Sequence, residues 1–348
     1  MPSVGLDAFK ERLVDRALVE PPVDLPIVAF YDTDRAMLDG PAGQRASAGD
    51  VRRYAMRAVQ EEALLRIGRS RSFPRPTALE GALAARTNFP ELFLWFYARE
   101  NDELREQKQR KDFAYRRNDL TAVRSAIASM LKDVSDPRVE MEPLRFSVSS
   151  AASDGRSETL ELDQLSDGQR AVLALAADLA WRMAVGNPHL EDPLGSEAVV
   201  LIDEVELHLH PSWQQRILTD LRRTFPNTQF IVSTHSPQVL TTVEPEHIVE
   251  LAREGGRIVA GSASGWTYGA EAGDVLSAVM GVNERPINDF TETLSRYARL
   301  VSEGRGESEE AVALRATLER LSPEDPALAR ADLEIRQRRV FEEMAKSR

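Results

Sequence analysis

The 348-residue chain contains no cysteine, which excludes disulfides, thiolate metal sites and cysteine nucleophiles. It also lacks any run of about 18 apolar residues. Its opening residues, MPSVGLDAFKERLVDR, are charged where a signal peptide would be apolar. A cytoplasmic protein without a membrane span is expected. Excess positive charge is missing as well: the net charge is −12, which argues against non-specific coating of nucleic acid, though a sum does not register a local basic groove. What the chain does have is 42% apolar residues, enough for a real core in one large domain or two ordinary ones.

The patterning changes along the chain. A short helix is expected over 6–18, then a compact apolar strand from Ile27 to Tyr31 bounded by prolines and aspartate. Residues 50–130 read as mostly helical. Within them the aromatics of NFPELFLWFYARE suit core or interface packing better than a ligand box, and the near-balanced charges of LREQKQRKDFAYRRND suit a solvated helix face better than a DNA contact. Alternation of Leu144, Phe146 and Val148, then of Leu160 and Leu162, around an SDG turn predicts a β-hairpin. A helix follows from about Asp167, with Val172, Leu175, Ala176, Leu179 and Met183 on one buried stripe.

Beyond it come short apolar strands at 198–202, 230–233 and 248–251, a helix over 212–225, and a hairpin turn at Glu254-Gly255-Gly256-Arg257. Strands separated by helices imply parallel pairing through right-handed crossovers. The charged segment after about Asn283 reads as a helical tail.

Four features carry candidate chemistry. In LSDGQ, Ser166 and Gln169 have capping-box spacing, which helix initiation alone would explain. The same hydroxyl, with helix N-terminal N–H groups and the closely approachable Gly168, also makes an anion site. In VVLIDE, Asp203 and Glu204 end a strand, at the sheet edge where open α/β folds bind ligands. One carboxylate there can hold Mg²⁺ through water and the next can polarise an attacking water. In IVSTHS, His235 emerges just past the next strand, at that same edge. In VELHLHP, Glu206, His208 and His210 resemble metal ligands, but no further ligand follows at zinc spacing.

Taken in order, LSDGQRAVLALAADLA, AVVLIDEVELHLHPSWQ and TQFIVSTHSPQVL resemble the ABC-type ATPase heads of the SMC, RecF and OLD (overcoming-lysogenization-defect) group. They look closest to the AAA-type, SMC-like ATPases found with retrons and Septu anti-phage systems. The resemblance extends to LPIVAFYDTDR and YGAEAGDVLSAVMGVNERP, and so to most of the chain. It implies an α/β fold, an incomplete P-loop NTPase sheet with a helical insertion and a helical C-terminal tail. The parts would be a residual N-terminal piece of the core at 1–35, the insertion at 36–138, the core with its motifs at 139–282, and the tail at 283–348. ATP and Mg²⁺ are the implied cofactors. Asp203 would be the Walker B carboxylate near Mg²⁺, Glu204 the general base and His235 the switch residue. Ser166, Gly168 and Gln169 would meet an ATP held by the opposite protomer, and residues 205–211 would form the D-loop.

One family element is not found. No glycine is followed by lysine, so the phosphate-cradling G-x-x-x-x-G-K-[ST] loop (Walker A) is absent from these residues. Without it the chain is expected to bind no ATP in cis, and its sheet should have a gap between the strands at 230–233 and 248–251. The leading expectation is therefore the C-terminal portion of an ATPase whose gene starts further upstream. That ATPase would work as a dimer in phage defence or DNA transactions, with an effector nuclease or DNA as partner. The alternative is a non-catalytic half-site that completes a full-length partner's ATP site in trans. A nuclease is disfavoured because no DxD cluster follows residue 240, and a transporter cassette because of the long helical middle.

Overall fold

A computed structural model describes residues 11–346 apart from 21, 34–72, 84–86, 88, 142–143, 152–155, 264 and 284. Two compact units divide the chain, Met1–Ala272 and Gly273–Arg348. The first part of the expected 6–18 helix, the 36–72 stretch of the expected insertion and the SDG turn fall outside the described residues. Helix is present over 11–17.

In the first unit, β1 (Ile27–Tyr31) precedes two helices, α1 (Phe89–Arg110) and α2 (Asn118–Met130). The N-terminal half of α1 buries Phe93, Trp95 and Phe96, and Phe146 packs edge-on to Phe89 and Phe96; the aromatic cluster is core. The charged half of α1 is largely solvated, although Glu103 and Gln107 are buried. Glu103 is paired with Arg124 of α2 at 2.8 Å.

An antiparallel meander follows: β2 (Val134–Met141), β3 (Leu144–Ala151) and β4 (Ser157–Glu161). Sequence periodicity gives the β3–β4 hairpin but not β2, whose VSDPRVEM carries two poor strand formers. A bulge between Ser135 and Arg138 absorbs them, with Asp136 at φ 48°. The strand runs across residue 139, where the sequence places the start of the ATPase core.

Helix α3 (Asp167–Gly186) is buried around its whole circumference from Ala171 onward, rather than along one stripe. It runs through the centre of the main hydrophobic cluster, which its many alanines allow by letting neighbours approach closely. Two charged residues go inside with it. Asp178 and Arg182 pair at 2.7 Å, and Tyr31 at the end of β1 donates its hydroxyl to Asp178 at 2.8 Å. Arg182 also donates to the carbonyls of Ala78 and Glu80, both at 2.9 Å. The network is thus nearly fully hydrogen-bonded, as buried charge requires.

Strands β5 (Ala198–Ile202) and β6 (Thr228–Val232) complete a parallel sheet of order β1-β5-β6. Between them the expected 212–225 helix is broken into α4 (Pro211–Gln214) and α5 (Ile217–Thr224); Ile217, Leu221 and Phe225 are buried, and Trp213 is half-buried. A short helix, α6 (Pro237–Leu240), follows β6.

The third apolar run corrects the parallel expectation. Val249–Glu254 (β7) pairs antiparallel with Arg257–Ser262 (β8) through the predicted turn, in a sheet of its own. Gly255 and Gly256 take φ of 54° and 82° there, as a two-residue hairpin loop demands. The apolar side chains of the hairpin are bare, with Val249, Leu251 and Ile258 about 70% exposed. Strand β6 is an edge strand whose Ile231 is 51% exposed.

Across the division between the two units runs α7 (Ala272–Ala278). The second unit is built from α8 (Asp289–Ser302), α9 (Glu309–Leu321) and α10 (Pro326–Lys346) around Leu294, Tyr297, Leu300, Val301, Leu318 and Leu328. Its compact unit begins at 273, ahead of the sequence boundary at 283.

Candidate functional site

The parallel register carries the two motif strands to a common end. Ile202 is paired with both Tyr31 and Val232. Pairing continues one step further: Asp203 N–H donates to the Tyr31 carbonyl at 2.8 Å and Ser233 N–H to the Ile202 carbonyl at 3.0 Å. Asp203 and Ser233 therefore leave the sheet side by side, and the Ser233 hydroxyl donates to Asp203 Oδ1. The same hydroxyl accepts the Glu204 N–H at 2.9 Å. No motif marks Ser233 in the sequence; its position immediately after the apolar run of β6 is the available signal.

Glu204 has a positive φ of 44° and His208 one of 65°, conformations that cost a non-glycine residue roughly 1 kcal/mol or more. They fold 204–209 into successive tight turns, with Leu207 N–H bonded to the Glu204 carbonyl and Leu209 N–H to the Glu206 carbonyl, both at 2.9 Å. Both loops are then stitched together. Val205 N–H donates to the Ser233 carbonyl at 3.1 Å, and His235 N–H donates to Glu206 Oε1 at 2.5 Å. Ser236 donates to Gln214 Oε1 at 2.7 Å, and Gln214 donates to the Leu209 carbonyl at 2.9 Å. The His235 residue itself is exposed, while Asp203 and Glu204 are partly buried.

Ser166, Gly168 and Gln169 lie together at the start of α3. Ser166 Oγ accepts the Gln169 N–H at 3.3 Å, and Gln169 Oε1 accepts the Ser166 N–H at 3.0 Å, a full capping box. Ser166 is exposed, but Gly168 is buried: a side chain there would meet the His208 carbonyl oxygen at 2.8 Å. That contact joins the capping turn to the 204–210 loop within one chain.

Two residues of the histidine-rich stretch have hydrogen-bonded partners of their own. His210 caps α4, its Nδ1 accepting the Ser212 N–H at 3.3 Å. Glu206 is committed to His235. Among the described residues the one cluster of metal-type ligands is Glu244, Glu246 and His247, all exposed. Also among the described residues, no helix is long and apolar enough to cross a membrane.

Carboxylates at the C-terminal ends of parallel strands, beside a hydroxyl and an exposed histidine, suit a divalent cation and an activated water. Comparison with known proteins gives the family. A family profile described as "AAA domain, putative AbiEii toxin, Type IV TA system" matches residues 57–241, more than half of the chain. The chain is 38% identical to the Retron Ec83 probable ATPase of Escherichia coli over 231 residues, covering 64% of this chain and 40% of the relative. It is 34% identical to the Septu protein PtuA of Bacillus mycoides (strain KBAB4) over 121 residues, 34% of this chain and 16% of that protein. Among solved structures it is similar to an SMC head domain from Thermotoga maritima, at 22% identity and a TM-score of 0.31, covering 46% of this chain and 52% of that one. The chain thus spans less than half the length of the curated relatives it matches. The resemblance read from the motifs, to retron- and Septu-associated ATPases, is borne out.

Proposed function

Since the chain belongs to the AAA-domain family of the putative AbiEii toxin, Type IV TA system description, we propose that it forms the hydrolytic portion of an ATPase serving anti-phage defence or DNA transactions. The observation that carries the reading is the Asp203–Ser233–Glu204 cluster at the shared end of β5 and β6. Asp203 would hold Mg²⁺, with Ser233 fixing its carboxylate. When bound, the cation supplies charge compensation between the phosphate oxygens and the acidic site. Glu204, held by its backbone turn, takes the proton of the attacking water. His235 reports the terminal phosphate.

The turn of Ser166, Gly168 and Gln169, exposed at Ser166, offers its hydroxyl and N–H groups to ATP on a second protomer. Such a role requires the Ser166–Gln169 cap to be shared with, or yielded to, the nucleotide. The phosphate cradle, absent as a motif from these 348 residues, is supplied by other polypeptide, either more of the same protein or a partner. The exposed Ile231 edge of β6 and the bare apolar residues of β7 and β8 support that view, since a strand laid there would cover them. An effector nuclease or DNA is the proposed downstream partner.

A second reading, a regulatory half-site that donates only its capping turn, is favoured by the exposure of Ser166. Mixing the chain with a full-length homologue and measuring turnover tests both. The first reading expects no low-micromolar binding of magnesium-ATP by the chain alone, and turnover in the complex that Glu204→Gln abolishes. Turnover lost with Ser166→Arg but untouched by Glu204→Gln would establish the half-site instead. Turnover indifferent to both substitutions would overturn both readings.

A further inference from the structure

Glu206 lies between the proposed base and the histidine-rich turn, and its carboxylate is spent in an unusual way. The tight turns at 204–209 direct its side chain to the neighbouring loop, where Oε1 accepts the backbone N–H of His235 at 2.5 Å. Its other oxygen, Oε2, is buried and has no hydrogen-bond partner. Leaving a carboxylate oxygen without a partner is costly, so the residue is not there for packing alone. A charged acceptor makes the N–H bond about twice as strong as a neutral one.

On either side of His235 the loop is held by weaker or more local bonds. Ser233 is tied through its main chain and hydroxyl to Val205 and Glu204. Ser236 N–H turns back to Thr234 Oγ1 at 3.0 Å, and the Ser236 hydroxyl reaches Gln214. Glu206 is therefore the clasp at the histidine itself, and it connects that residue to the loop that begins with Asp203 and Glu204.

We propose that Glu206 is a positioning residue: its carboxylate clamps the His235 backbone and so sets where the exposed imidazole stands relative to the Asp203–Glu204 loop. The proposal rests on the reading of His235 as a working residue of an ATP site, but the clamp is measurable without nucleotide. With five histidines in the chain, selective ¹⁵N-histidine labelling gives five amide signals, which single substitutions assign. In Glu206→Ala the His235 amide should exchange at least about tenfold faster, and its imidazole resonance should shift, while His189 and His247 stay unchanged. In Glu206→Gln the side-chain carbonyl still accepts the N–H, and protection should return.

Unchanged protection of His235 in Glu206→Ala overturns the clamp. If all five amides lose protection in that variant, Glu206→Gln decides: retained His235 protection upholds the proposal and lost protection overturns it. In a turnover-competent complex with a full-length homologue, Glu206→Ala should lower the rate and Glu206→Gln should restore most of it. A complex insensitive to His235→Ala would remove the functional reading while leaving the amide result standing.

Discussion

The carbonyl oxygen of His208 stands 2.8 Å from the point that a side-chain carbon on Gly168 would occupy. Glycine at the second position of α3 is thus a packing requirement within one chain, independent of any nucleotide. The obstacle is backbone, held by the left-handed turn at His208, and cannot rotate away. Gly168→Ala should therefore destabilise the first unit by about 1–3 kcal/mol, read as a lower urea midpoint with an unchanged m-value. A wild-type midpoint would mean that the loop and helix are not in this contact.

Strain at Glu204 gives a second expectation. With φ at 44°, any residue with a Cβ is disfavoured there and glycine is not. Glu204→Gly and Glu204→Ala both remove the carboxylate, and both should abolish turnover in an assembled enzyme. They should differ in stability, however, with the glycine variant more stable by about 1 kcal/mol. Equal melting temperatures would show that the turn relaxes without cost.

How far the sequence revealed this molecule depended on whether a feature was set by local pattern. Strands β1, β5 and β6 were legible because each apolar run ends in an acidic or hydroxyl residue, and the α3 capping box because it spans four residues. The break between α4 and α5 was hidden: Trp213, Ile217, Leu221 and Phe225 keep helical spacing straight through it. The strand β7 and its hairpin turn were legible, but its separation from the parallel sheet was not, because a short apolar run looks the same in a buried parallel strand and in an exposed hairpin. Two contacts of the site join residues some thirty positions apart: Ser233 meets Asp203 because parallel register carries both out of the sheet side by side, and Glu206 reaches His235 from a loop turned by positive φ at Glu204 and His208. Nothing in residue spacing encodes those turns.

The buried Tyr31–Asp178–Arg182 network leads to a third expectation. Removing the phenol hydroxyl leaves Asp178 short of a donor, so Tyr31→Phe should cost about 1–3 kcal/mol despite conserving volume. Burial, then the adjacent Asp178 carboxylate, holds the Tyr31 phenol well above its ordinary value. A raised native value means the stabilisation is complete below the unfolded phenol's range of about 10 and is lost as pH rises through the native one. Wild-type chemical stability should therefore fall on the alkaline side of pH 10, and more steeply than in Tyr31→Phe. Parallel curves for the two proteins would show that Tyr31 ionises freely in the native state.

The helical second unit should respond in the opposite direction of pH. Arg285 donates to both oxygens of Asp325, at 2.7 and 2.8 Å, and Ala327 N–H adds a further bond at 2.9 Å. Chiefly through the Arg285 hydrogen bonds, the Asp325 carboxyl is held below its ordinary value. A depressed native value contributes stability above the unfolded carboxyl's range, about 4, that is lost as pH falls through the native one. The bond ties the segment before α8 to the start of α10, so its loss should loosen both ends together. Calorimetry from pH 6 to pH 3 should show a falling transition temperature for the wild type. Asp325→Asn, which keeps an acceptor but cannot titrate, should start lower at pH 6 and fall less. If the variant and the wild type fall in parallel, the acid sensitivity of this unit does not lie in Asp325.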